Sequence, residues 1–313
     1  MKPNKQQGIA LIMVIMVVAL VSIAVTGMVS RQQLDVRQTA NIFGLDRTYT
    51  ATLAAEDVAR IGLRKEGQLT KIDTLTELWA EPVAGWDIGG VSLGGQLEDL
   101  QGRFNLNNLV DTDGKPSAED IKRFERLLSL TGVDPLVKDA VIDWIDADTD
   151  VTGLDGAEDD YYMTQTPGYR PPNTAFANAS ELVLIKGIGY VEYEKLRDFV
   201  VALPERTEVN INTASATVLA SLVNNFTLQD GESIIGDRES QADGGFATLA
   251  DFTGSSLIKS TEIVSTDLGV KSGYFLLHSY GELENSNTQL FSVLHRDQNN
   301  NVTTVTRGQG VFQ

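Results

Sequence analysis

Residues 8–30, GIALIMVIMVVALVSIAVTGMVS, decide how the rest of the chain is read. No residue from Gln6 to Ser30 carries a charge, and Ile9 to Val29 is almost wholly apolar. At 1.5 Å per residue a helix over this run is about 30 Å long, one bilayer core. Lys2 and Lys5 precede it and the next charge is Arg31, which puts the N-terminus on the cytoplasmic side. A secretory signal has a shorter apolar core with a small-residue cleavage site behind it. Here the run leaves as VTGMVSR, without such a site, and reads as an anchor.

The helical pattern continues beyond the anchor. No proline occurs between Pro3 and Pro82, and Leu34, Ile42, Leu45, Tyr49, Leu53 and Ile61 recur close to one helical face. The spacing predicts one helix from Ile9 to about Arg64, its first half in lipid and its second half packed on a domain.

The leader KQQG followed by IALIMVIMVVAL resembles that of type IV pilin-like proteins, which is short, basic and ends in glycine. The resemblance implies that a prepilin peptidase cuts between Gly8 and Ile9 and that the new amine of Ile9 is methylated. The apolar run survives the cut, first as an anchor and then as a packing surface among neighbouring filament helices. Most such subunits carry glutamate at the fifth mature position, paired with a neighbour's amine, because a lone carboxylate in lipid is costly. Here that position is Met13, which cannot make the contact and suits a subunit with nothing above it.

Farther along, VAGWDIGGVSLGGQLEDLQGRFNLNNL (83–109) reads as short strands punctuated by turns at Gly89-Gly90 and Gly94-Gly95. Near the other end, GYFLLHSYGELENSNTQLFSVLHRDQNNNVTTVTRGQG (273–310) gives three strands joined at ENSN and DQNNN. The interval between these regions reads helical: Ser117, the Asp134-Pro135 pair, Ser180 and Thr213 are helix starts. The expected class is α+β: a pilin-like long helix plus antiparallel sheet, with a large inserted all-α domain containing helix-hairpin-helix-like motifs. The layout is a leader at 1–8, a helix at 9–66 (9–30 in the membrane or filament core), a first β region at 67–104, the inserted domain at 105–268, and a second β region at 269–313.

This layout is similar to that of the general secretion pathway protein K family, minor pseudopilins of type II secretion. The carriers are the non-glutamate fifth position, LQGRFNLNNL at 100–109, DWIDAD at 143–148, GAEDDYY at 156–162 and VNINTAS at 209–215. The resemblance implies a single-pass bacterial inner-membrane protein, largely periplasmic, that caps a short pseudopilus tip. Its implied partners are the I and J minor pseudopilins, the major pseudopilin filament and the prepilin peptidase.

Composition agrees with an exported, non-nucleic-acid partner list. The chain holds 25 Lys and Arg against 43 Asp and Glu, a formal net charge of -18, and two of the lysines lie before Gly8. Nucleic acid or an anionic lipid surface is therefore not expected as the main partner, whereas divalent cations are. There is no cysteine, hence no disulfide, thiolate nucleophile or Cys-based zinc site.

From Asp139 to Tyr161 nine acidic residues stand with no basic one, interleaved with Trp144, Ile145, Leu154 and Tyr161. Such like charges repel, and the apolar residues imply a folded loop rather than a solvated one. With only oxygen ligands on offer, that points to calcium. Asp146, Asp148 and Asp150 match positions 1, 3 and 5 of an EF-hand, but Val151 stands at the glycine position and Glu158 falls one residue late. An irregular structural calcium loop is expected, with Asp146 and Asp148 on one side and Asp155, Glu158, Asp159 and Asp160 on the other, for one or two ions. The family resemblance implies calcium in the same loop.

ASELVLIKGIGYVEYEKLRDFV (179–200) looks like a helix-hairpin-helix turning at Gly187 and Gly189, and VNINTAS begins a degenerate second copy. The competing reading is an anchored DNA-binding protein of the competence type. Lys186, Lys195 and Arg197 are however balanced by Glu181, Glu192, Glu194 and Asp198, and eight acids oppose two arginines from Glu205 to Asp251. A phosphate grip needs the opposite balance, so these motifs are read as packing units. No catalysis is expected: His278 and His295 lie in strands, and no G-x-S-x-G or phosphate loop occurs.

Overall fold

A computed structural model describes residues 7–261, 263–284 and 286–310. Leader residues 1–6, Asn285 of the ENSN turn and residues 311–313 of the second β region lie outside the described residues.

One unbroken helix, α1, runs Gln7–Leu69, 63 residues and so about 95 Å. Every residue from Gly8 to Phe43 is exposed. The packed face begins at Gly44 and continues through Thr48, Ala51, Thr52, Glu56, Leu63 and Gly67. This corrects the stripe expected from hydrophobic spacing. Leu34, Ile42, Leu45 and Ile61 are exposed, and Tyr49 and Leu53 only half-buried. The reason is close approach. A Cβ on Gly44 would lie 2.3 Å from Ser286 Oγ, and the Thr48 hydroxyl meets that of Thr288 at 2.6 Å. Large side chains on this face would lift the helix away; only lower down does Leu63 enter a core with Trp79, Leu97, Phe275 and Leu294.

After α1 the chain forms β1 (Val83–Ile88) and β2 (Val91–Asp99). It then enters a helical region: β3 (Phe104–Asn105), α2 (Ala118–Thr131), α3 (Lys138–Ile145), α4 (Asp159–Tyr162), α5 (Tyr190–Leu196) and β4 (Val200–Val201). A second run follows with β5 (Val209–Asn210), α6 (Ala216–Leu222), α7 (Leu228–Glu239), α8 (Leu249–Thr253) and β6 (Leu268–Gly269). The chain returns as β7 (Tyr274–Leu283), β8 (Ser286–Arg296) and β9 (Val302–Gln309).

The main sheet has the order β1-β2-β7-β8-β9, antiparallel throughout. The α+β class expected from the sequence is thus the observed one. Gly89 and Gly90, both at positive φ, turn β1 into β2 as expected. Gly94 and Gly95 do not turn; they lie inside β2. Their missing side chains make room instead, since a Cβ on Gly94 would sit 2.3 Å from the Tyr280 ring and one on Gly95 2.7 Å from the His278 carbonyl.

The helical region consists of two similar units with separate cores. Each opens with a two-residue strand that pairs in parallel with its own closing strand, β3 with β4 and β5 with β6. In each, one asparagine makes an Asx turn and a second clamps a phenylalanine backbone. Asn105 Oδ1 accepts from Asn107 N–H at 3.1 Å, and Asn210 Oδ1 from Asn212 N–H at 3.0 Å. The Asn107 carboxamide accepts from Phe176 N–H and donates to its carbonyl, and Asn212 does the same to Phe246. Two helix starts differ from expectation. Asn178 and Ser215 are the caps, because Asn178 pairs reciprocally with Glu181 while Thr213 gives its hydroxyl to Asp99.

The units differ chiefly in the connection before the clamped phenylalanine. Residues 240–245 suffice in the second unit, whereas residues 146–175 fill that place in the first. The acidic loop is this extra segment.

Candidate functional site

The loop grows out of α3. Asp143, fully buried on the last turn, accepts from Thr152 N–H at 2.9 Å and from Ala157 N–H at 2.6 Å, pinning the outgoing strand of the loop. Burial raises its carboxyl above the usual range, against these hydrogen bonds. Beneath lies an aromatic floor, with Trp144 and Tyr169 each packed on Tyr162. Tyr162 Oη in turn accepts from the Lys186 N–H of the Gly187 hairpin at 3.3 Å.

Asp146, at the end of α3, and Glu158, at the start of α4, are 3% and 5% exposed. Asp146 Oδ1 and both Glu158 carboxylate oxygens are buried without a hydrogen-bond partner, as is Asn173 Oδ1 on the returning leg. Burial pushes Asp146 up to about 6, helped by the charges of Asp148 and Asp143. Glu158 rises to about 7 through burial and then the charges of Asp143, Asp146 and Asp148, with the adjacent Asn173 side chain acting in the opposite sense. Acceptor oxygens buried without donors are costly and uncommon in native folds.

The structure thus brings Asp146, Asp148 and Glu158 into one electrostatic group. None of the other expected ligands is buried with an unpartnered oxygen. Asp159 pairs with Arg170 at 3.5 Å, Asp160 is exposed, and Asp155 is half-buried. Asp148 is exposed as well, its Oδ1 accepting from Asp150 N–H. Sequence reasoning missed Asp143 and Asn173. No spacing rule marks Asn173, which reaches the group only because the loop folds back. Among the described residues no three His, Asp or Glu side chains converge as a metal-ligand cluster. The unpartnered oxygens belong instead to two carboxylates and a carboxamide, a hard-oxygen set that fits a divalent cation such as calcium.

The cations of the hairpin are used internally. Lys186 Nζ donates to the Gly156 carbonyl at 3.2 Å, Lys195 Nζ to the Gly132 carbonyl at 3.0 Å, and Arg197 pairs with Glu194 at 3.1 Å. At the other end of the molecule Gly8, Ile9 and Met13 lie on the exposed part of α1, with Met13 one turn after Ile9. Among the described residues α1 is the one helix long and apolar enough to cross a membrane.

Over 97% of its length the chain is 36% identical to type II secretion system protein K of Pseudomonas aeruginosa, covering 93% of that protein. The chain belongs to the type II secretion system protein K family. Two family models, both described as type II secretion system (T2SS), protein K, match residues 102–205 and 209–271, one for each helical unit. Protein K of Klebsiella pneumoniae is 29% identical over 99% of this chain and 98% of its own length. Among solved structures, the GspK–GspI–GspJ complex from the type 2 secretion system of enterotoxigenic Escherichia coli contains a chain with the same fold. It aligns at a TM-score of 0.71 and 23% identity, covering 84% of this chain and 97% of that one. Protein K is thus a component of a secretion machine, with the pilin-like fold carrying an added helical domain.

Proposed function

We propose that this chain is a minor pseudopilin that caps the periplasmic pseudopilus together with the I and J minor pseudopilins and so supports export of folded proteins across the outer membrane. The observation that carries the reading is the bare stem, exposed from Gly8 to Phe43 in a chain 36% identical to a protein K. Such a surface needs lipid or sister helices around it.

In this reading residues 9–30 hold the precursor in the inner membrane, with the bulk of the chain periplasmic. The prepilin peptidase removes residues 1–8 and Ile9 is N-methylated. The stem then leaves lipid and packs among the helices of the major pseudopilin filament. Met13 brings no carboxylate into that packing and needs no amine from a subunit above. The two helical units, carried at the far end of α1 from the anchor, make a head too wide to fit beneath another subunit. Partnership with I and J is supported by the related chain solved in that complex.

Calcium is assigned a structural role. Asp146 and Glu158 would hold it, supplying oxygen ligands and negative charge, while Asp143 orients the loop through Thr152 and Ala157. N-terminal mass spectrometry of the membrane-extracted protein tests the assignment as a whole. The expected species begins with N-methylated Ile9; a chain retaining Met1, or one cut beyond the stem, overturns it.

A further inference from the structure

Strands in a sheet stand about 4.8 Å apart, so five of them span about 19 Å, whereas one helix covers only about 10–12 Å. α1 cannot roof its own sheet, and the side it leaves open is that of β1. All six residues of β1 are exposed. Trp86 pairs in register with Leu93, which puts its ring on the α1 side of the sheet, where Leu93 packs against Ala51. The ring stays 46% exposed there. Between Trp86, Val83 and Leu78 on one side and Val58, Gly62 and Leu69 on the other runs an apolar groove of about 410 Å³. Gly62 is not explained by the chain's own packing. A glycine inside a helix weakens it relative to alanine. On the same helix Gly44 and Gly67 are needed, because a Cβ would lie 2.3 Å from Ser286 Oγ at the first and 2.5 Å from Asn300 Oδ1 at the second. A Cβ on Gly62 meets nothing within 4 Å, so the room above it serves no described residue of this chain.

We propose that the groove seats one stem helix of an adjoining minor pseudopilin, parallel to α1, with a bulky apolar side chain over Gly62 and Trp86 as the anchor. The inference rests on the partnership proposed above and adds the surface that serves it. Two observations favour a helix as the occupant. The open strip lies in the same layer as α1, while β1 is a poor template for an added strand: it is bulged between Val83 and Trp86, with Gly85 at φ +77°. The groove also continues the bare stem. Val36, Ala40, Phe43, Val58, Ile61 and Leu69 are all exposed and recur at helical spacing on one face of α1. A neighbour anchored in the same membrane rises parallel to α1, meets this face first and reaches the groove at its upper end.

Titration of the full-length protein in detergent with the purified I and J minor pseudopilins, each in turn, tests this. Gly62→Leu and Trp86→Ala should each weaken binding of one of the two at least tenfold. Gly236→Leu, at a helix glycine of α7 that is equally open, should leave it unchanged. Gly62→Leu should melt no lower than wild type, since the space it fills is empty in the isolated chain. The absence of native cysteine allows a second readout. Gly62→Cys should react with maleimide in the free protein and be protected in the complex, while Ser240→Cys on the exposed end of α7 reacts in both. Wild-type affinity in Gly62→Leu or Trp86→Ala, a lowered melting temperature in Gly62→Leu, or unprotected Gly62→Cys overturns the groove assignment alone. A wild type that binds neither I nor J overturns the partnership and the groove together.

Discussion

Arg307 on the last strand grips Glu56 on the stem helix with two hydrogen bonds, Nε to Oε2 at 2.8 Å and Nη2 to Oε1 at 2.7 Å. Ser292 and Thr304 donate to the same carboxylate, each at 2.6 Å. One acid, 2% exposed, thus ties α1 to β8 and β9. Burial pushes its carboxyl up, but the hydrogen bonds from Arg307, Ser292 and Thr304 outweigh this and hold it at about 2, against an ordinary 4.5. A lowered folded-state pKa gives stability that is present above pH 4.5 and lost as pH falls towards 2. Allowing for the partial exposure of Arg307, the contribution is about 2 kcal/mol. Glu56→Gln should therefore melt several degrees lower than wild type at pH 7, with the gap closing by about pH 2. A gap that does not change with pH would assign the effect to packing.

The two asparagine clamps should prove independent. Asn107→Ala strips partners from Phe176 and from the Leu203 carbonyl, and Asn212→Ala strips them from Phe246. Each leaves buried backbone groups unpaired, at a cost of about 2–4 kcal/mol. Because the clamps sit in separate cores, denaturant unfolding of the double variant should show nearly the sum.

Chelation should lower the melting temperature. An ion that binds only the folded chain stabilises it by about 2.7 kcal/mol at a hundredfold excess over Kd. Thermal melts in millimolar calcium and in excess chelator are expected to differ by several degrees in the wild type and to coincide in Glu158→Gln.

Met13→Glu should leave processing after Gly8 intact while impairing secretion or tip position. Mass spectrometry of the N-terminus and an exoprotein secretion assay separate the two effects. Lost processing would show that this position serves the peptidase instead.

The stem and the terminal meander were legible because each repeats one simple pattern over many residues. The run from Ile9 to Val29 is apolar on every face, and β7 to β9 are separated by obvious turns. Where the signal depends on close approach, the reading failed. Gly94 and Gly95 look like a turn on the page but accommodate Tyr280 and the His278 backbone. The packed face of α1 is marked by glycine, alanine and threonine rather than by its large apolar residues. Within the candidate site, acid density marks the loop, and Asp146 and Glu158, whose carboxylates the fold buries, are among the residues it names. Asn173 was out of reach, because its proximity to them depends on a return path that no local spacing encodes.

The chain leaves the main sheet at Asp99 and returns at Ser272, whose hydroxyl donates to the Asp99 carboxylate at 2.6 Å. Departure and re-entry therefore share a single doorway, and the β2–β7 ladder beside it is continuous from Ser92 to Asp99. The sheet is in effect a socket. The segment between Asp99 and Ser272 can change length without re-registering a strand, while Val201 and Leu203 pack on Tyr274, Leu276 and Val293 and seat the head on the sheet. Acquisition of the helical head by a plain pilin scaffold would then require only one insertion event.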